Sequence, residues 1–128
     1  MKEKEITEKI IGAAYAVYNA MGFGYLESVY EKCMLIELKK AGLTVENQKA
    51  ITVKYDEEIV GEFIADLVIN DRIIVELKSI RALSNVHEVQ LVNYLVSTGK
   101  PTGLLINFGE MQVDVKKKYR DRKAIFED

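Results

Sequence analysis

The chain has 128 residues, with 18 Lys+Arg against 20 Asp+Glu, a formal net charge of −2 and 48% hydrophobic residues. That apolar content excludes a disordered chain, and the length suits a single domain over residues 1–128 that buries a core without disulfides or a structural metal. No apolar run approaches the roughly 20 residues of a membrane span, so no membrane association is expected. The near-neutral charge excludes a strongly basic nucleic-acid coat, while leaving a local basic groove open. Cys33 is the lone cysteine, which rules out an internal disulfide and a multi-cysteine zinc site. The start, Met1-Lys2-Glu3-Lys4-Glu5, is charged and has no signal-type apolar stretch behind it. A reducing, cytoplasmic setting is expected.

In chain order, Ile6, Ile10, Ala13, Ala14, Val17 and Met21 recur at helical spacing and predict a helix from about Glu3 to Met21. Gly22-Phe23-Gly24 ends it. Val29, Tyr30, Cys33, Met34 and Leu38 form the stripe of a second helix, from about Leu26 to Lys40, with Gly42 at its C-terminal side. The period then changes to two. Strands are expected over Thr44 to Tyr55, Ile59 to Ile69 and Ile73 to Lys78, with turns at Asp56-Glu57-Glu58 and Asn70-Asp71-Arg72. A third helix follows from about Asn85 to Ser97 and stops at Gly99-Lys100-Pro101. Gly103 to Phe108 is a fully apolar strand suited to a sheet centre. Met111 to Val115 reads as the last strand, and Lys116 to Lys123 as a basic tail. The three-strand run reads as an antiparallel meander, and the third helix as a crossover that brings the next strand alongside it. The fold class is α/β, with a mixed central sheet flanked by helices.

The strands Phe63–Ile69 and Ile73–Lys78 are apolar on both faces and belong inside the sheet, yet they carry Asp66, Glu76 and Lys78. A buried charge is costly unless it is paired or bound to a metal. Glu76 and Lys78, two apart, share a strand face. A two-residue turn would put Asp66 and Glu76 on opposite faces. A three-residue loop, Asn70-Asp71-Arg72, would set them opposite each other, and this register is the expected one. A divalent cation between two such carboxylates turns their repulsion into attraction. The residues alone leave two accounts open, a metal site and a buried Glu76–Lys78 ion pair. Glu-x-Lys by itself decides nothing, because Glu37-Leu38-Lys39 repeats it on a helix surface.

Asp66 followed by Glu76-Leu77-Lys78 on the next strand resembles the signature of the PD-(D/E)XK nuclease superfamily, with Ala65 standing where the family name has proline. Gly24-Tyr25-Leu26-Glu27 places a glutamate at the start of the helix before the sheet, as in nuclease families whose metal site includes that residue. Gln90-Leu91-Val92-Asn93-Tyr94 is similar to the Gln-x-x-x-Tyr element of the exonuclease-like branch. Together with Leu104-Leu105-Ile106-Asn107-Phe108-Gly109, the pattern resembles a small stand-alone bacterial and archaeal family labelled GxxExxxxY. Gly24 and Glu27 match that label, and Lys32 occupies its tyrosine position. The resemblance implies a restriction-endonuclease-like αβββαβ core and a Mg²⁺- or Mn²⁺-dependent phosphodiesterase acting on nucleic acid, with DNA the expected substrate. It implies that Asp66, Glu76 and the Leu77 carbonyl hold the metal, with Glu27 joining directly or through water. Lys78 would orient the attacking water or neutralise developing charge. Gln90 would bond a metal water or the DNA backbone, with Tyr94 one turn further on.

His87 shares a helical face with Gln90 and Tyr94 and reads either as a phosphate or proton-transfer contact or as a plain surface histidine. The basic tail reads as a solvated chain end or a nucleic-acid contact. A non-catalytic binding or assembly module, and a phosphoesterase with a small substrate, are the competing functions. A homodimer formed through the first helix is a further expectation.

Overall fold

In a computed structural model of the chain, which describes residues 1–121, three helices and five strands follow in the order α1 (Glu3–Met21), α2 (Glu27–Lys40), β1 (Val45–Tyr55), β2 (Glu58–Ile69), β3 (Ile73–Lys78), α3 (Asn85–Thr98), β4 (Thr102–Phe108) and β5 (Val113–Tyr119). The sheet order is β1-β2-β3-β4-β5. β3 and β4 are parallel and the other neighbours antiparallel. The α3 crossover produces that one parallel step, since a strand can return in the same direction only through a long connection.

Ile6, Ile10, Ala14, Tyr30, Met34 and Leu38 from α1 and α2 are buried with Leu67, Ile69, Val75, Leu104, Ile106 and Phe108 on one face of the sheet. Leu91 and Leu95 of α3 cover Ile51, Ala65, Val68, Ile74 and Leu105 on the other. Both faces of β3, of β4 and of the end of β2 from Ala65 to Ile69 are therefore covered, which accounts for their continuous apolar runs, whereas Ile59, Val60 and Ile64 earlier in β2 are exposed. The apolar face of α1, Ile6, Ile10, Ala13, Ala14 and Val17, is buried in this core.

The last strand differs from the expectation. β5 runs Val113–Tyr119 and pairs along its whole length with β4, so Lys116, Lys117 and Lys118 belong to an edge strand rather than to a tail. Charged side chains on an edge discourage pairing with a further strand. Lys118 is buried and forms an ion pair with Glu88 of α3 at 2.7 Å. Arg122 and Lys123 of the expected basic run lie outside the described residues.

The β2–β3 connection follows the three-residue expectation. Asn70 and Asp71 both have left-handed backbone, Arg72 N–H donates to Ile69 C=O at 3.0 Å, and Ile69 pairs with Ile73. Asn and Asp are among the few side chains that tolerate such backbone. Leu67 pairs with Val75, and there the ladder stops. At the same level β1 and β2 turn over. Val45, Leu67 and Ile69 pack beneath α1 and α2, whereas Ile51, Phe63 and Ala65 pack beneath α3. Residues an even number apart normally share a strand face. The change of face falls at Gln48 and Asp66, the one facing position left unpaired between Asn47↔Leu67 and Lys49↔Ala65.

Candidate active site

The site lies where β2 and β3 separate. Asp66, at the change of face, reaches in the plane of the sheet toward β3, and its Oδ2 accepts the Leu77 backbone N–H at 2.8 Å. The carboxylate thus takes the place a β2 carbonyl would fill if the ladder continued. A strand residue directs its N–H and C=O to the same side, so the Leu77 carbonyl also faces the opening beside Asp66.

Continuing the observed register by one step brings Glu76 opposite Asp66. Burial, and then the neighbouring Asp66 charge, push the Glu76 carboxyl up to about 9, against the opposing pull of Lys78. Glu76 Oε1 is buried with no hydrogen-bond partner. Among the described residues Glu76 makes no ion pair with Lys78. The buried-pair account of Glu-x-Lys is therefore not what the side chains do. An orphaned acceptor beside a second carboxylate and a backbone carbonyl is an all-oxygen donor set that fits a hard divalent cation keeping several waters.

Tyr94 reaches this centre from α3. Burial first, then the charges of Glu76 and Asp66, raise its phenol above the ordinary value. Its ring stacks on Phe63 of β2, with centroids 3.5 Å apart. Gln90, one turn earlier, is exposed on the same helix. His87 serves the helix instead: the Ser84 backbone N–H donates to its Nδ1 at 3.2 Å, closing a capping box at the start of α3.

Glu27 occupies the first turn of α2 and is exposed. The turn before it is tied to the end of β3, where Ser79 Oγ donates to Tyr25 C=O at 2.7 Å. Tyr30 OH donates to the Gly22 carbonyl, and its ring stacks on Phe108, so the same turn is also held from beneath. Even so, no three Asp, Glu, His or Cys side chains among the described residues stand close enough to ligate one ion. Glu27 is therefore not gathered with Asp66 and Glu76. The α2 carboxylate linked to Asp66 is Glu31, through Gln48: Gln48 Nε2 lies 2.5 Å from Glu31 Oε1 and 3.5 Å from Asp66 Oδ1. Sequence reasoning missed both residues. Glu31 follows Glu27 by one helical turn, which was a usable signal; nothing in the sequence marks Gln48.

Asn107, fully buried in β4, fixes the exit of β3. Its Oδ1 accepts the Ile80 N–H at 3.0 Å, and its Nδ2 donates to the Ile80 C=O at 2.8 Å. The segment that follows Lys78 is thereby held against the sheet.

The family model for the PD-(D/E)XK nuclease superfamily matches residues 4–118, a span that takes in all eight elements but for the first residue of α1 and the last of β5. The chain belongs to the PD-(D/E)XK nuclease superfamily. Members of this superfamily generally use divalent metals. Among solved structures the chain is similar to SSO0001, with 17% identity and a TM-score of 0.57 over 96% of this chain. It spans 61% of the length of that protein. It also matches an alkaline exonuclease from Laribacter hongkongensis, at 12% identity and a TM-score of 0.45, over 98% of this chain and 86% of that one. A comparison with curated proteins gives no match. The mixed sheet with helices on both faces is the restriction-endonuclease-like arrangement of this superfamily. No helix among the described residues is long and apolar enough to cross a membrane.

Proposed function

We propose that this nuclease-fold protein is a Mg²⁺- or Mn²⁺-dependent nuclease that hydrolyses phosphodiester bonds of DNA. The observation that carries the proposal is the buried, unpartnered Oε1 of Glu76 beside Asp66. A sheet gains nothing from a buried carboxyl oxygen left without a partner, whereas a cation site uses one.

Asp66, Glu76 and the Leu77 carbonyl would hold the ion, and Glu27 would join through water from the start of α2. When bound, the ion supplies charge that acidifies a water for attack on phosphorus and stabilises the negative charge growing on the phosphoryl oxygens. Lys78, two residues beyond Glu76 on β3, would present its ammonium to the attacking water and to those same oxygens. Gln90 would bond the DNA backbone from the exposed side of α3. Tyr94 would set its hydroxyl beside the two carboxylates, on a ring fixed by Phe63.

The test is Mn²⁺ calorimetry on the wild type and Asp66→Asn, with plasmid and single-stranded DNA cleavage assayed in the same buffers. Binding and cleavage that both disappear in the variant support the metal nuclease. A wild type that binds no Mn²⁺ refutes it. Binding without cleavage of either DNA refutes DNA as the substrate and leaves the ion site.

A further inference from the structure

Five described non-glycine residues have positive φ. Asp56, Glu57, Asn70 and Asp71 form the tips of the two hairpins, where a tight turn requires left-handed backbone. The fifth, Gln48 at φ 51°, lies inside β1. Left-handed backbone is unfavourable for a residue with a Cβ, and glutamine lacks the short side chain that lets asparagine tolerate it. A residue held this way persists only where its surroundings over-determine it, and such residues cluster at functional sites.

The Gln48 side chain shows what holds it. Its nitrogen stands between two carboxylates, 2.5 Å from Glu31 Oε1 and 3.5 Å from Asp66 Oδ1. Ionised carboxylates only accept hydrogen bonds, so the NH₂ end of the amide is the only end that can face both. Asp66 Oδ2 is already anchored by Leu77 N–H. One anchored oxygen leaves the carboxylate free to swing about that contact. A donor beside the other oxygen fixes its plane.

We propose that Gln48 is a positioning residue for Asp66: held by Glu31 and aimed by left-handed backbone within β1, its amide sets the plane of the Asp66 carboxylate against Leu77 and Glu76. The inference rests on the metal-dependent reading above. Left-handed backbone within β1 serves this contact, at the expense of strand regularity.

The experiment measures two quantities on wild type and Gln48→Gly. One is the thermal midpoint in EDTA. The other is the Mn²⁺ dissociation constant from calorimetry, with no substrate present. Glycine accepts the backbone conformation without strain. The expected result is a midpoint equal to or above that of the wild type, together with Mn²⁺ binding weakened about tenfold, as for other groups that orient metal ligands. Gln48→Asn tolerates the same backbone, but its amide is one carbon short of both carboxylates. It is expected to behave like the glycine variant. A merely structural role for Gln48 would lower the midpoint and leave the affinity unchanged. Mn²⁺ affinity within twofold of wild type in both variants overturns the proposal and leaves the metal site standing. A wild type that binds no Mn²⁺ overturns the metal reading, and this inference with it.

Discussion

Asp66 Oδ2 accepts the backbone N–H of Leu77 at 2.8 Å, across the gap where β2 and β3 cease to pair. One side chain thus completes the hydrogen bonding of the separated strands and offers a carboxylate to the opening. These two uses can be told apart. Asparagine keeps an acceptor for Leu77 and loses the charge, whereas alanine loses both. Asp66→Ala should be less stable than Asp66→Asn by about 1–2 kcal/mol in urea denaturation without metal, the cost of stranding a half-buried donor. Both should lose Mn²⁺ binding. Equal stabilities would mean that the Leu77 contact contributes nothing.

Glu76 makes the metal-free protein sensitive to pH. Its carboxyl is raised from 4.5 to about 9 in the folded state, so between these values the folded chain holds a proton that the unfolded chain has released. Stability from this group is complete below about pH 4.5 and is lost as pH rises through about 9. A single group changes stability by at most about 1.4 kcal/mol per pH unit. Denaturation midpoints of the metal-free wild type should fall from pH 6 to pH 9 more steeply than those of Glu76→Gln. Mn²⁺ must displace that proton, so affinity should rise over the same interval. Identical pH profiles for wild type and variant would remove Glu76 from both effects.

Lys78 and the carboxylates should separate in kinetics. Lys78→Met removes a positive neighbour of Glu76, so Mn²⁺ affinity should hold or tighten. Cleavage should fall by roughly 10²–10³-fold, the usual loss when a group that stabilises developing charge is removed. Parallel loss of Mn²⁺ binding and cleavage would place Lys78 among the groups that build the ion site rather than those that act on the phosphate.

The Lys118–Glu88 pair joins the edge strand to the helix that carries Gln90 and Tyr94. The two side chains are only 3% and 13% exposed. Removing one partner strands the other charge in a dry setting. Lys118→Met should cost about 3 kcal/mol in guanidinium denaturation, and Lys118→Met with Glu88→Leu should recover most of that loss. A double variant no more stable than the single one would show that the helix depends on the ions themselves.

Much of the architecture was legible because local chemistry and global fold agree. Helical spacing in residues 3–21, and period two followed by unbroken apolar strands from residue 45 onward, require a mixed sheet with both faces covered. Asn70-Asp71-Arg72 even specified the β2–β3 register, because two side chains that tolerate left-handed backbone sit together there. The lysines of β5 were misread as a tail: an edge strand carries charge for the same reason a tail does, and only pairing with β4 tells the two apart. The helical face of His87 left a phosphate contact and a plain surface histidine both open, and the structure adds that the Ser84 backbone N–H donates to its Nδ1 at the start of α3.

By itself, the sequence determined the order and type of the elements, the strands that lie inside the sheet, and the presence of Asp66, Glu76 and Lys78 on them, since periodicity and turn chemistry act between residues near in the chain. Tertiary structure alone decided that β2 and β3 stop pairing after Leu67 and Val75, that Glu31 rather than Glu27 is tied to Asp66 through Gln48, and that Asn107 clamps Ile80. The hydrogen bonds that fix these relations join residues 11 to 27 positions apart along the chain. They depend on how the elements dock and on where the sheet turns over, which no short-range pattern encodes.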